Sequence, residues 1–556
     1  MSSGTSTTLD HRSVATIRSG ISQAPASSTP HTPPRTVTTS YGSPSTIRAE
    51  EDFVLVEIGS RYVRAGFVGD SLPKACLSCG PEQQRRAGDF RAWQEPVSSP
   101  SRKWAADHEI WRYDLRDIDL GLFQDKLDRL LRDAFTRFLL IDSRPRRVGL
   151  VLDSAVPLPL LSAVLDTLFT NFQTPTISLM STPTMVAMGA GVRSALVVNI
   201  GWNETVVTSV YEYREVKSSR TVRGGRSLND ALYKLLHALI PTAEDDDESE
   251  DRAVTFEECE DIMCRLMWCR PSAFKSSQRQ SAQLDTVEEQ DEIEGESSQP
   301  SGIAEVPLRS AKPPLTIHIP FNKLADVCDD SFFDPSAARS TFDDHEIPLH
   351  LLAYKHLLQL PLDVRAVCMS RIIFTGGCSN ILGVKERIMD EITSIVERRG
   401  WEPVFGKGVE TLRSSHRSHR TPSLQRSSIS SVGTSESGGD DSDGLRSESG
   451  TIDSQEDQVE AKITRNRPIR HQFQGHLRAI HSLGAWTGAS LTCHLKIPAL
   501  ATVDRELWQQ QGANGASRPS DIDVKNQQRQ SVGAGGLIRG SGSHQANWTL
   551  GVWGAL

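Results

Sequence analysis

Apolar and polar residues first fall into a regular pattern at Phe53. The run Val54-Leu-Val-Glu-Ile58 reads as a short buried strand that ends at Gly59-Ser60. A tight turn returns the chain through Val63 to Phe67, and Gly69-Asp70 closes the hairpin. Leu122–Phe135 repeats its apolar residues at helical spacing. Arg147–Leu152 then reads as a buried strand, Leu160–Phe172 as a helix, Ile177–Met180 as a strand and Thr184–Ala190 as a short helix. A second strand-and-turn unit runs from Ala195 to Gly201 and continues through Thr205–Val210. This alternation of strands and helices predicts an α/β fold.

Several stretches lack any such period. Residues 1–50 are rich in Ser, Thr and Pro, which predicts a disordered leader. An acidic run at 244–251, a Ser/Gln/Glu/Pro stretch at 271–312 and a Ser/Gly/Asp/Arg stretch at 407–462 are expected to be surface inserts in a domain spanning 53–512. The tail, 513–556, is Gly/Ser/Gln-rich and is expected to be flexible, with Trp548 and Trp553 available to dock. No internal sequence repeat is strong, but strand-Gly-turn units occur twice, at Gly59 and Gly201.

Composition fits ordered domains diluted by polar segments: 37% of the 556 residues are hydrophobic and 6% aromatic. A net charge of −9 argues against a general nucleic-acid surface. No apolar run is long enough to span a bilayer, and Met1-Ser-Ser-Gly-Thr-Ser-Thr-Thr has no apolar core of a secretory signal. The nine cysteines include Cys76-Leu-Ser-Cys79, but no second pair lies nearby to complete a zinc site, so no metal is expected. An odd count fits a reducing compartment.

The hairpin carries the most specific chemistry. A Gly-Ser turn between strands brings backbone N–H groups and a small hydroxyl to one point, which suits a phosphate, although most such turns are ordinary. Here Gly59-Ser60 is followed by Ala65-Gly-Phe-Val-Gly-Asp70 and Pro73-Lys74, and this resembles the first phosphate loop of actin and the actin-related proteins. Four further segments resemble the family in the right order: Gly225–Leu232, Cys259–Met267, Ile372–Gly383 with its Gly376-Gly377 pair, and Leu483–Ser490. The resemblance implies two α/β halves of duplicated, ribonuclease-H-like design around a nucleotide cleft. It also implies nucleotide-binding positions at Gly59, Ser60, Arg64, Gly201, Gly376 and Gly377, with ATP or ADP as the cofactor.

The departures from the pattern bear on function. The family's second phosphate loop is D-x-G-D-G, whereas this chain reads Asn199-Ile-Gly-Trp-Asn203. Glu57 replaces the leading Asp of the first loop, Arg61 follows Ser60 where the family has Gly, and Arg64 replaces a Lys. The family's water-positioning Gln and His fall at Thr182 and Val206, and its nucleoside-binding Lys and Glu fall at Met263 and Cys264. Phosphoryl hydrolysis needs a held metal and an oriented water, so any bound nucleotide is expected to be held without turnover and no catalytic residue is assigned. Among actin-related proteins the chain most resembles the divergent fungal subunit at the pointed end of dynactin. That implies a cytoplasmic, cytoskeletal structural protein that does not form a homopolymer. Its partners would be an actin-like filament subunit and the pointed-end complex proteins, with no nucleic acid and no membrane insertion. A nuclear chromatin-remodeller subunit and an active actin-like ATPase are the alternatives.

Overall fold

The computed structural model describes residues 53–88, 104–116, 118–141, 144–240, 254–272, 302–309, 314–334, 342–401, 476–497, 501–516 and 549–554. The expected leader and the inserts at 244–251 and 407–462 lie outside the described residues. Twelve strands are present there: β1 (Phe53–Ile58), β2 (Tyr62–Phe67), β3 (Ala75–Ser78), β4 (Arg147–Leu152), β5 (Thr176–Ser181), β6 (Ala195–Ile200), β7 (Thr205–Tyr211), β8 (Arg214–Thr221), β9 (Ile303–Leu308), β10 (Leu315–Pro320), β11 (Ile372–Thr375) and β12 (Ala501–Asp504). The helices there are α1 (Leu120–Asp133), α2 (Leu158–Asn171), α3 (Thr182–Gly189), α4 (Gly225–Leu239), α5 (Phe256–Arg265), α6 (Phe321–Phe332), α7 (Leu349–Leu358), α8 (Leu362–Met369), α9 (Val384–Arg399), α10 (Gly484–His494) and α11 (Arg505–Gln511).

Two sheets define two lobes. The first has the order β12-β5-β4-β1-β2-β3 and the second the order β11-β6-β7-β8. In the first, β1, β2 and β3 form an antiparallel meander while β4 runs parallel to β1. In the second, β6, β7 and β8 form the same meander and β11 runs parallel to β6. The halves therefore share one plan, with β1 matching β6 and β4 matching β11. Because strands buried on both faces read as continuous apolar runs, β4 and β6 were both legible as Val/Leu-rich segments.

Each lobe has its own core, and a third cluster joins them. Leu55 of β1 and Val151 of β4 pack with Val197 of β6, Ile373 of β11 and Trp486 of α10. α3 and α10 cross there through glycines: a Cβ on Gly488 would run into the Met185 carbonyl, and one on Gly189 would meet the Gly484 carbonyl. Only the missing side chains let these backbones approach. The parallel pairings place the C-terminal ends of β1 and β4 in one lobe, and of β6 and β11 in the other, around a common cleft.

Two expectations from the sequence need correction. The stretch 271–312 contains β9, whose residues alternate exposed and buried and pair antiparallel with β10. Its period of two spans only six residues and is submerged in polar neighbours. The tail 513–556, expected to be flexible, is held at one of the two tryptophans noted as available to dock: Leu550 and Trp553 are buried in the first lobe's core, and the Trp553 indole donates to the Asp153 carbonyl at 3.0 Å. Trp548 lies outside the described residues. No described helix is long and apolar enough to cross a membrane.

Trp553→Ala is expected to destabilise the protein by about 3–5 kcal/mol, the range for emptying a fully buried aromatic site, as measured by urea unfolding. A loss under about 1 kcal/mol would show that the docked segment contributes little. A second prediction concerns pH. His356 is buried on α7 with Nδ1 2.8 Å from Ser219 Oγ. Burial, helped by the charge of Lys217, pushes its pKa down from 6.5 to about 3. The unfolded chain therefore takes the proton first, so this contribution is complete above about 6.5 and is lost as pH falls toward 3. His356→Gln should lose less stability than wild type between pH 7 and pH 5; equal slopes would contradict this.

Candidate functional site

The six residues singled out from the sequence, Gly59, Ser60, Arg64, Gly201, Gly376 and Gly377, all line one cleft of about 1350 Å³ between the lobes. The two loops at its floor are built alike. Gly59 N–H closes a turn on the Tyr62 carbonyl at 2.9 Å, and Gly201 N–H closes its counterpart on the Glu204 carbonyl at 3.1 Å. These N–H groups are committed to their own hairpins. Arg64 is held across the β1–β2 pair by Glu57, at 2.6 Å, and the Glu57 charge raises its pKa.

The two glycines after β11 differ in role. Gly376 has φ +88°, and a Cβ there would collide with the Ile200 carbonyl and with Asn199 of the second loop. Its lack of a side chain is explained by packing against the chain's own backbone. A Cβ on Gly377 meets nothing within 4 Å.

Side chains fill the space between the loops. Arg61 is buried, and its guanidinium makes a bidentate pair with Glu260 of α5 at 2.8 and 3.0 Å. The same guanidinium lies 4.5 Å from the Trp202 ring and 4.7 Å from the Phe256 ring. Tyr62 adds its hydroxyl to Glu260 at 2.8 Å. Burial works to raise the Glu260 pKa, but the Arg61 hydrogen bonds and charge outweigh it and hold the carboxyl below its usual range. Trp202 is seated by glycines: a Cβ on Gly225 would meet its ring and one on Gly224 its carbonyl. The carbonyls of Gly201 and Trp202 accept from the Gly225 and Arg226 N–H groups at 2.9 and 2.8 Å. The start of α4, which could otherwise offer free donors to an anion, is thus capped by the second loop.

Sequence reasoning missed the segment His108–Tyr113, which threads between the loops. Ile110 N–H bonds the Ser60 carbonyl at 2.7 Å, and the Trp111 indole bonds the Gly59 carbonyl at 3.0 Å. From the other lobe, the Trp202 indole donates to Glu109 at 2.7 Å and Asn203 to the Trp111 carbonyl at 3.1 Å. His108 stacks on Phe256 with ring centroids 3.9 Å apart. Asn199 donates to Asp153 at 3.1 Å, and the Tyr113 hydroxyl also bonds that carboxyl, whose pKa burial raises. No motif marks this segment; its alternation of charged and aromatic residues was the available signal. Glu260, Phe256 and Arg226 were missed because only folding brings the first two to Arg61 and the third to Glu109.

Between the two loops, where the resemblance implies a nucleotide's phosphates, the chain places its own side chains. Arg61 lies over the Trp202 ring between the two loops, and the Trp202 indole is bonded to the buried Glu109 carboxylate. Thr182 and Met263 line the cleft, whereas Val206 is buried in β7. Among the described residues no group of three or more His, Cys, Asp or Glu side chains is arranged to hold a metal ion.

Gly376→Ala is expected to cost about 2–4 kcal/mol, because it combines a left-handed φ with a backbone collision. Gly377→Ala should be within about 0.5 kcal/mol of wild type. Denaturant unfolding of the pair reads this directly, and equal effects would contradict the assignment of Gly376 to loop packing.

The site thus has the position, the paired glycine turns and the duplicated scaffold that the resemblance implies, with altered contents. A family model described as actin matches residues 48–415, more than half of the sequence. The match takes in both loops and the Gly376-Gly377 turn, and α10 follows beyond it. The chain belongs to the actin family.

Proposed function

We propose that this protein is a non-catalytic structural member of its family, whose cleft does not turn over nucleotide. The observation that carries the reading is the contact of Arg61 with Trp202 between the two loops. Hydrolysis needs a metal held by anionic or water ligands and a water aimed at phosphorus. Asn199 supplies an amide that is already bonded to Asp153, and Trp202 supplies bulk and one N–H that is spent on Glu109. Thr182 and Val206 stand where the family positions water.

The assembly we propose is an actin-like filament, with this chain capping its pointed end in dynactin. It would thereby support dynein-driven transport and nuclear positioning as a cytoplasmic, cytoskeletal protein. The divergence of both loops supports this through the resemblance to the fungal pointed-end subunit. An apolar stripe supports a subunit that meets a neighbour: Leu483, Leu491 and Leu495 are 77%, 44% and 58% exposed at helical spacing on and beside α10. Leu72, 74% exposed, follows Ser71, whose carbonyl accepts from Thr487 Oγ1 of α10.

Affinity purification of the full chain tests the assembly. Recovery of dynactin and dynein-adaptor components is expected, and helicase-type remodeller subunits would instead support the nuclear alternative. Phosphate release under single-turnover conditions tests the chemistry. No release above background is expected, and a rate at or above that of actin monomer would contradict the reading. Purified protein with ATP and magnesium should stay small; long filaments by electron microscopy would contradict the capping role.

A further inference from the structure

Trp202 of the second loop and Arg226 of α4 both meet one carboxylate of the chain, that of Glu109. Glu109 is 4% exposed. Its carboxylate accepts the Trp202 indole N–H at 2.7 Å and lies 3.4 and 3.5 Å from Arg226 Nη1 through its two oxygens. Its backbone carbonyl is fixed independently by Lys126 Nζ at 3.1 Å, within the first lobe. Among the described residues the side-chain donors to the carboxylate, Trp202 and Arg226, come from the second lobe, while its backbone is anchored in the first.

We propose that Glu109 is a built-in anion, a carboxylate supplied by the chain that occupies the pocket of Trp202 and Arg226 and holds the lobes closed without a ligand. The pocket suits one small oxyanion: a carboxylate, or a single phosphate group of similar reach. This rests on reading the cleft as idle but goes further, since it assigns a cause and a ligand class. A buried carboxylate is stable only while its partners are in place. Burial pushes the Glu109 pKa up, opposed first by the Arg226 charge and then by the Trp202 N–H. Opening the lobes would take both partners away together.

Chemical rescue tests this on the full chain. Glu109→Ala should melt below wild type. Formate, acetate or inorganic phosphate should then raise its Tm by about 2–4 °C more than chloride at matched ionic strength. Wild type, with the pocket filled, should show no such difference. Glu109→Gln fills the same volume without charge, so it should melt low and resist rescue. Adding Arg226→Met to Glu109→Ala should abolish rescue by removing the cation. If Glu109→Ala does not fold in chloride, the readout is refolding yield in each anion, and recovery with oxyanions alone supports the proposal. Equal shifts in wild type and Glu109→Ala, rescue by chloride, or no rescue by any anion would overturn it. None of these outcomes depends on phosphate release or partner capture, so the two readings fail separately.

Discussion

The buried guanidinium of Arg61 is the constraint on which the rest of the cleft depends. A buried cation without a partner is strongly unfavourable, and Arg61 belongs to the first lobe while Glu260, Trp202 and Phe256 belong to the second. Both lobes must therefore stay together for Arg61 to remain paired. Its planar shape allows a two-point bond to the carboxylate while its faces lie against aromatic rings, which a lysine does not reproduce. Cation–π contacts of this desolvated kind contribute about 2 kcal/mol in favourable cases.

The duplicated plan shows how this contact is built from local parts. Each half presents a strand, a glycine and a return strand, and each glycine N–H closes the same kind of turn. The residue after Ser60 is Arg61, and the residue after Gly201 is Trp202. Two large side chains therefore project from equivalent turns toward each other. Glu109 and Asn203 then knit the same two loops through the segment between β3 and α1. The bridging interactions between the two loops come from the chain's own side chains.

Much of the scaffold was legible because its signals are local. Strands β4 and β6 are mostly apolar runs, α2 has a helical period, and Gly59 and Gly201 punctuate strands where hairpins turn. The replacement of acidic residues by Asn199 and Trp202 was also readable, because it stands within a motif. What those side chains do instead was not. Arg61 finds Glu260 across 199 residues, and Glu109 finds Trp202 across 93; such pairings follow from topology. β9 was missed because six alternating residues carry little signal; Trp553 was marked as available to dock, but one aromatic in a polar tail does not specify its pocket. Gly376 was read toward a ligand, whereas its tightest neighbours are Ile200 and Asn199 of the same chain.

The central claim is that the chain's own side chains fasten the two lobes. The most direct measurement is a double-mutant cycle on nucleotide-free protein with Arg61→Ala, Glu260→Ala and the double variant, read by denaturant unfolding. The account predicts that each single change costs about 2–4 kcal/mol. The double change should cost much less than their sum, with a coupling of about 1.5–3 kcal/mol. Additive effects, with a coupling below about 0.5 kcal/mol, would contradict it.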